Sequence, residues 1–279
     1  MAEIEKIDLP FEEIRHYVIE NLRKSGASFE FKNFCANLAK LLIDKKAVKD
    51  PNPVGFQGVN FNLSIRDENI VREIIWDFII QRVITIGDYN NSSWPHLSLT
   101  EYGKKAIESS GVIPHDSSGY LKALKNTLPE LDTIIETYLL ESINTYNINQ
   151  LLSSTITLGC ASERAILLII DSYANTFREN EKSNIFRKKI EGRFIKTQFD
   201  EFQKSIKHGF STYPYDLKEN FDNTFTGIYQ MIRNNRNDAG HPTGKQISKD
   251  SLFANLRVFI PYCKYIYDLK KYLEENKHD

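Results

Sequence analysis

The chain has 279 residues, 41% of them hydrophobic and 26% charged, a composition that excludes a disordered or fibrous protein and points to a folded globular one. Its net charge of −1 excludes binding to nucleic acid through overall charge. Residues 1–112 carry 14 Lys/Arg against 16 Asp/Glu and the remainder 22 against 21, so any such contact needs a local patch.

In chain order, residues 9–22 have apolar side chains at Phe11, Ile14, Val18, Ile19 and Leu22, a helical spacing. Residues 31–48 form a second expected helix. Residues 67–81 form a third, apolar on one side through Ile70, Val71, Ile74, Ile75, Phe78 and Ile79. The period then changes. Residues 82–87 and 96–100 read as two strands joined by a turn-rich tip at 88–95, and Thr100 caps a helix running through Ile107. Ser, Gly and Pro between 109 and 119 mark a linker. The expected domains are therefore 1–110, a linker and connecting helix at 111–127, and 128–279. The second part is almost entirely helical, with helices expected at 129–145, 148–178, 185–205, 217–237 and 249–275. Pro129 suits a first helical position, and Pro261 falls inside the last helix, where it produces a kink.

No uninterrupted apolar run reaches the ~20 residues of a bilayer span, and the acidic start lacks the pattern of a signal peptide. The cysteines Cys35, Cys160 and Cys263 form no CxxC pair and read as buried reduced thiols of a cytoplasmic protein. No Asp, Glu or His grouping has metal-site spacing, so neither a metal nor another cofactor is expected, and no membrane contact.

The stretch that carries chemistry is Arg233 to Pro242, RNNRNDAGHP. Arg236 supplies a permanent charge that can fork onto a phosphate. His241, five positions on, can take or give a proton near neutral pH. In an unbroken helix a separation of five puts the two on different faces. Gly240 is a natural helix end and Pro242 keeps His241 out of helical conformation, so His241 is expected just past the helix, free to fold back toward Arg236. Arg233 adds charge one turn earlier.

These residues resemble the signature of the HEPN superfamily, helical bundles that include many ribonucleases of toxin–antitoxin and antiviral systems. Arg236-Asn237-Asp238-Ala239-Gly240-His241 matches its Arg, four to six residues, His pattern, with a polar residue after the Arg. The segment Leu158-Gly-Cys-Ala-Ser-Glu-Arg is similar to the long helix of that superfamily, and Glu163 matches an acidic residue that faces the site in some members. The resemblance covers about residues 128–275. It implies a metal-independent endoribonuclease in which His241 abstracts the ribose 2′-OH proton and Arg236 stabilises the phosphate charge, with Asn237, Asp238 and Glu163 in support. It also implies a homodimer, because one His does not conveniently serve as both base and acid, and an RNA substrate. Residues 60–110 resemble a winged helix-turn-helix, through the helix–strand–wing–strand–helix order and the closing Leu99-Thr100-Glu101-Tyr102-Gly103. The fold class expected is thus mainly α: an N-terminal winged helix with a small β-hairpin, then a HEPN-like bundle.

Further RNA contact is expected from Arg187, Lys188 and Lys189, with Arg193 and Lys196 on the same expected helix. The third helix carries four carboxylates, Asp67, Glu68, Glu73 and Asp77, against Arg72 alone in its interior, which argues against reading a DNA groove. Trp76 and Phe78 read as packing, and Trp94 as a staple of the wing or an anchor for a protein partner. His96, His115 and His208 are assigned no role. The competing reading keeps the Asn-rich run as a solvated turn with His241 capping the helix. The chain is then a regulator or adaptor whose bundle is a dimerisation module.

Overall fold

The computed structural model describes residues 2–4, 6–51, 61–108, 113–242, 244 and 246–277. The protein is mainly helical with a small three-stranded sheet, and it divides into two compact units, Met1–Ala123 and Leu124–Asp279.

The N-terminal unit opens with strand β1 (Ala2–Glu3), helix α1 (Phe11–Lys24), strand β2 (Ser28–Glu30) and helix α2 (Phe31–Asp44). Strand β3 (Phe61–Asn62) pairs in parallel with β1. Then come α3 (Ile65–Ile80), β4 (Ile84–Ile86), β5 (His96–Leu99), α4 (Glu101–Glu108) and α5 (Ser117–Thr127), whose last four residues fall in the second unit. The expected two-stranded hairpin is a three-stranded antiparallel sheet in the order β2-β5-β4. Ser28-Phe29-Glu30 is too short to show alternation, and its strand state comes from pairing with β5, Phe29 opposite Leu97. Glu30 then turns the chain into α2 by accepting from the backbone N–H groups of Lys32 and Asn33. That helix stops at Asp44, four residues before the expected end, where Lys46 takes φ 58°. Helix α3 starts at Ile65 because Ser64 caps it, accepting from the N–H of Asp67. Ile14, Val18, Leu38, Ile74, Ile75 and Phe78 fill the core between α1, α2 and α3.

Residues 109–112 of the expected linker lie outside the described residues. The rest of it does not run free over the surface: Ile113 to Ser117 are buried. Arg15, 4% exposed, donates from Nε to the His115 carbonyl at 3.0 Å and from Nη1 to Asp77 at 2.8 Å. The His115 ring lies 2.9 Å from the side-chain Oε1 of Gln81 and 2.7 Å from the Tyr102 hydroxyl, so both ring nitrogens are satisfied. His16 Nδ1 meets Asp116 at 2.6 Å, and this hydrogen bond raises the His16 pKa above its usual 6.5.

The C-terminal unit contains α6 (Thr133–Asn147), α7 (Leu151–Asn175), α8 (Asn180–Ile190), α9 (Ile195–His208), α10 (Tyr215–Asn220), α11 (Ile228–Gly240) and α12 (Lys249–Glu275). Helix α7 is central, packed by α6, α11 and α12. It is long and apolar enough to pass as a membrane span by length and composition, yet it carries Glu163 and Arg164, and over half of its most apolar window is buried within the bundle. Pro129 does not begin α6. Asp132 does, accepting from the N–H groups of Ile134 and Ile135 while its carboxylate holds Arg164 at 2.7 Å; the side-chain cap with its ion pair outweighs the proline preference. The single helix expected at 185–205 is two, α8 and α9, separated where Gly192 takes φ 65°. Arg193 and Lys196 therefore do not share a helix with Arg187–Lys189. The helix expected at 217–237 contains a π-helical turn, Phe221–Gly227, with Phe221 and Phe225 fully buried. Helix α12 has the expected bounds and retains Pro261 on its exposed side.

Candidate functional site

Helix α11 brings the Arg–His motif against α7. Continuity with the π turn sets its phase so that Tyr229 and Ile232 are buried while Arg233 and Arg236 lie at the margin. Gly159 of α7 makes room for Arg236. A Cβ at that position would stand 2.4 Å from the Arg236 Cγ and 2.7 Å from its Cβ, so the arginine stem lies in the groove that the missing side chain leaves. One turn on, Glu163 Oε2 lies 3.7 Å from Arg236 Nη2, the glutamate side chain 16% exposed and the arginine 37%. Asn237 Oδ1 accepts from Arg236 Nη1 at 3.4 Å. Both contacts are long, which leaves most of the five guanidinium donors for another acceptor.

The same neighbourhood holds two further groups. The Tyr229 hydroxyl is buried without a hydrogen-bond partner. Its pKa is pushed far up by burial first and then by the Glu163 charge, against Arg233 and Arg236. Cys160, half-buried rather than buried as expected, is raised by burial and by Glu163, with Arg236 opposing. Cys35 and Cys263 are buried as free thiols.

Helix α11 ends at Gly240, and His241 follows with φ −108° and ψ 141°, its backbone N–H bound to the Asn237 carbonyl at 3.1 Å. It is therefore beyond the helix end, and it is exposed. Among the described residues no hydrogen bond or ion pair joins it to Arg236, so the expected fold-back is not seen. His241 and Asp238 instead line an open cleft of about 760 Å³ shared with Asn149, Gln150 and Leu151 at the start of α7, a volume within the range of small-molecule sites. Glu163 touches Arg236 more than three turns further along α7, roughly 18–21 Å at about 1.5 Å per residue. The motif thus offers an anchored cation and, at the same end of α11, an accessible imidazole in a separate cleft.

Of the other expected site residues, Arg233 is half-buried with no hydrogen bond or ion pair among the described residues. Arg187 is engaged, donating to Asp171 at 3.0 Å and Asn175 at 2.7 Å, whereas Lys188 and Lys189 are exposed. Sequence reasoning did not find Gly159 or Tyr229. The signal available for Gly159 was a glycine four residues before Glu163 in an otherwise strong helix, which costs helix stability unless something packs against it. Among the described residues, no group of three or more His, Cys, Asp or Glu side chains could hold a metal ion. The chain matches no protein-family model, no curated protein and no solved structure.

Proposed function

We propose that the protein is a metal-independent endoribonuclease of HEPN type, acting in the cytoplasm as an effector of a toxin or antiviral system. The observation that carries this reading is the pairing of Arg236 with Glu163 across α11 and α7, with His241 held in an open cleft at the end of the same helix. Arg236, steadied by Glu163 and Asn237, binds the scissile phosphate and stabilises the charge that grows on its oxygens. His241 takes the 2′-OH proton, the 2′-oxygen attacks phosphorus, and the 5′-oxygen leaves with a proton. Each chain offers one such histidine, so the acid and the base come from two copies, a homodimer with both motifs on one RNA strand. The test is cleavage of labelled RNA in EDTA. Arg236→Ala and His241→Ala are each expected to lower the rate by at least about 100-fold and to leave the unfolding transition in place. Normal cleavage by His241→Ala overturns the mechanism.

The N-terminal unit we read as a winged helix used for protein contact. Its support is the order α1-β2-α2-α3-β4-β5 with the sheet order β2-β5-β4, together with the outward face of α3, where Ile65, Trp76 and Ile80 are 81%, 47% and 63% exposed. Trp76 is thus not packed as expected. Trp94, read as a staple of the wing or a partner anchor, has its ring 4.9 Å from Phe31, with Arg72 over both. Two of the four α3 carboxylates serve the fold. Asp67 is buried and accepts from the Ile7 N–H and the Ser64 hydroxyl, and Asp77 pairs with Arg15. An exposed apolar face on the helix that would enter a groove favours a protein partner over DNA. This surface would serve equally in the adaptor reading, which predicts no cleavage by any form.

A further inference from the structure

The turn between α8 and α9 presents an aromatic ring among cations. Phe194 is 89% exposed, far more than a ring of its size usually leaves in water. It follows Arg193, and Lys188 and Lys189 lie on the last turn of the preceding helix. All three cations are exposed and make no side-chain hydrogen bond or ion pair among the described residues. Glu191 is the acidic residue of the turn.

The position of this corner follows from the helix register. Helix α9 runs antiparallel to the segment that ends in the motif. Lys207 binds Asp222, Gln203 binds Thr226, and Phe199 packs on Tyr229 with ring centroids 4.4 Å apart. As α9 is followed back toward its start, its partners advance through the π turn to the start of α11. Continuing that register brings Lys196 level with Ile232 and Arg233, and Phe194 level with Asn234 and Asn235. The half-buried Arg233 lies on this course. On that register the exposed ring falls toward the motif end of the bundle, with cations before it and its level between those of Arg233 and Arg236.

We propose that this corner is a binding track for single-stranded RNA, in which Phe194 stacks on a base and Lys188, Lys189 and Arg193 hold the phosphates beside it, with Arg233 leading toward Arg236. Stacking on an aromatic ring with cations tracking the backbone is the general means of holding a single strand without reading its sequence. Charge complementarity selects the occupant: the free groups are cations around one ring, which suits a polyanion with planar bases. A lipid surface calls for a continuous apolar face, and the exposed side of α8 offers only Ile185 between Asn184, Lys188 and Lys189. The proposal assigns the substrate's path in the nuclease reading, but binding alone tests it.

The experiment is fluorescence anisotropy of the full chain with a labelled, uncleavable 2′-O-methyl oligonucleotide of mixed sequence, with a duplex of the same sequence and with phosphatidylserine-containing vesicles alongside. Phe194→Ala is expected to weaken single-strand binding by about tenfold, and Phe194→Trp to preserve it. Lys188→Gln combined with Lys189→Gln is expected to lower the slope of log affinity against log salt by about 1.4. None of these side chains is in the core, so the unfolding midpoint should not move. His241→Ala is read in a separate cleavage assay, which keeps the two ideas apart. If His241→Ala still cuts RNA while Phe194→Ala loses binding, the nuclease mechanism fails and the track stands. Equal binding by all variants, no binding by any form, preference for the duplex, or capture by vesicles that requires Phe194 without oligonucleotide binding would each overturn the track.

Discussion

The two units solve the problem of an interior by different means. The N-terminal unit holds a buried arginine and histidine in hydrogen bonds: Arg15 bridges Asp77 and the His115 carbonyl, and His115 sits between Gln81 and Tyr102. The C-terminal unit buries rings. Tyr173 packs on Phe177, Phe186 and Phe202, and Phe225 packs on Phe199, Phe202, Phe221, Tyr262 and Tyr265. Its ion pairs Glu163–Arg236, Asp132–Arg164 and Asp171–Arg187 lie at the margin. A hydrogen-bonded interior depends on direction and protonation, while an aromatic one depends on volume. The two units should therefore fail under different perturbations.

The largest expected effect is on the aromatic side. Phe225→Ala removes a fully buried ring, with an expected loss of about 3–5 kcal/mol, measured as a fall in the urea midpoint of the C-terminal transition. On the polar side, Arg15→Ala leaves the His115 carbonyl without its donor and removes the cation packed over Phe78, 4.6 Å from the ring centroid. The expected loss is about 2 kcal/mol, discounted because Asp77 is 43% exposed. Gly159→Ala tests shape at the site itself. The added methyl collides with the Arg236 stem, and overpacking offset by better helix propensity leaves a net cost of about 1 kcal/mol. RNA cleavage should fall by about tenfold or more because the guanidinium is displaced. If Gly159→Ala cuts RNA at the parental rate, the position of Arg236 does not matter to the reaction.

The smallest effect is the one that separates the units by pH. His16 has its pKa raised by the hydrogen bond to Asp116. A raised folded value means that the pair stabilises the protein fully below the unfolded pKa of about 6.5 and loses that contribution as pH rises through the folded pKa. His16 is 45% exposed, so solvent screening holds the effect under about 1 kcal/mol. Unfolding midpoints between pH 6 and 8.5 should decline slightly for the parent relative to His16→Ala. An identical pH dependence in the variant would remove the pair from the account.

Local pattern carried the long elements. The bounds of α12 follow from its periodicity and the Ser248 cap, and α11 runs to Gly240, three residues past the expected 237, where Pro242 stops it. Short or context-dependent features were not legible. Strand β2 exists only because β5 lies beside it. The start of α6 at Asp132 depends on Arg164 of another helix. Neither the π turn nor the break at Gly192 leaves a gap in the apolar period.

For the candidate site, the sequence by itself determined which groups are available: an arginine and a histidine five apart, a helix stop between them, and a glutamate on an earlier helix. Those are properties of residue type and local conformation. Only the tertiary structure decided that Glu163 meets Arg236, that Gly159 makes the room for it, that His241 faces a cleft with the start of α7, and that Arg187 is spent on Asp171 while Phe194 stands in water. These depend on how α7, α9 and α11 are set against one another. That arrangement is fixed by burying rings far apart in the chain, and no local pattern contains it.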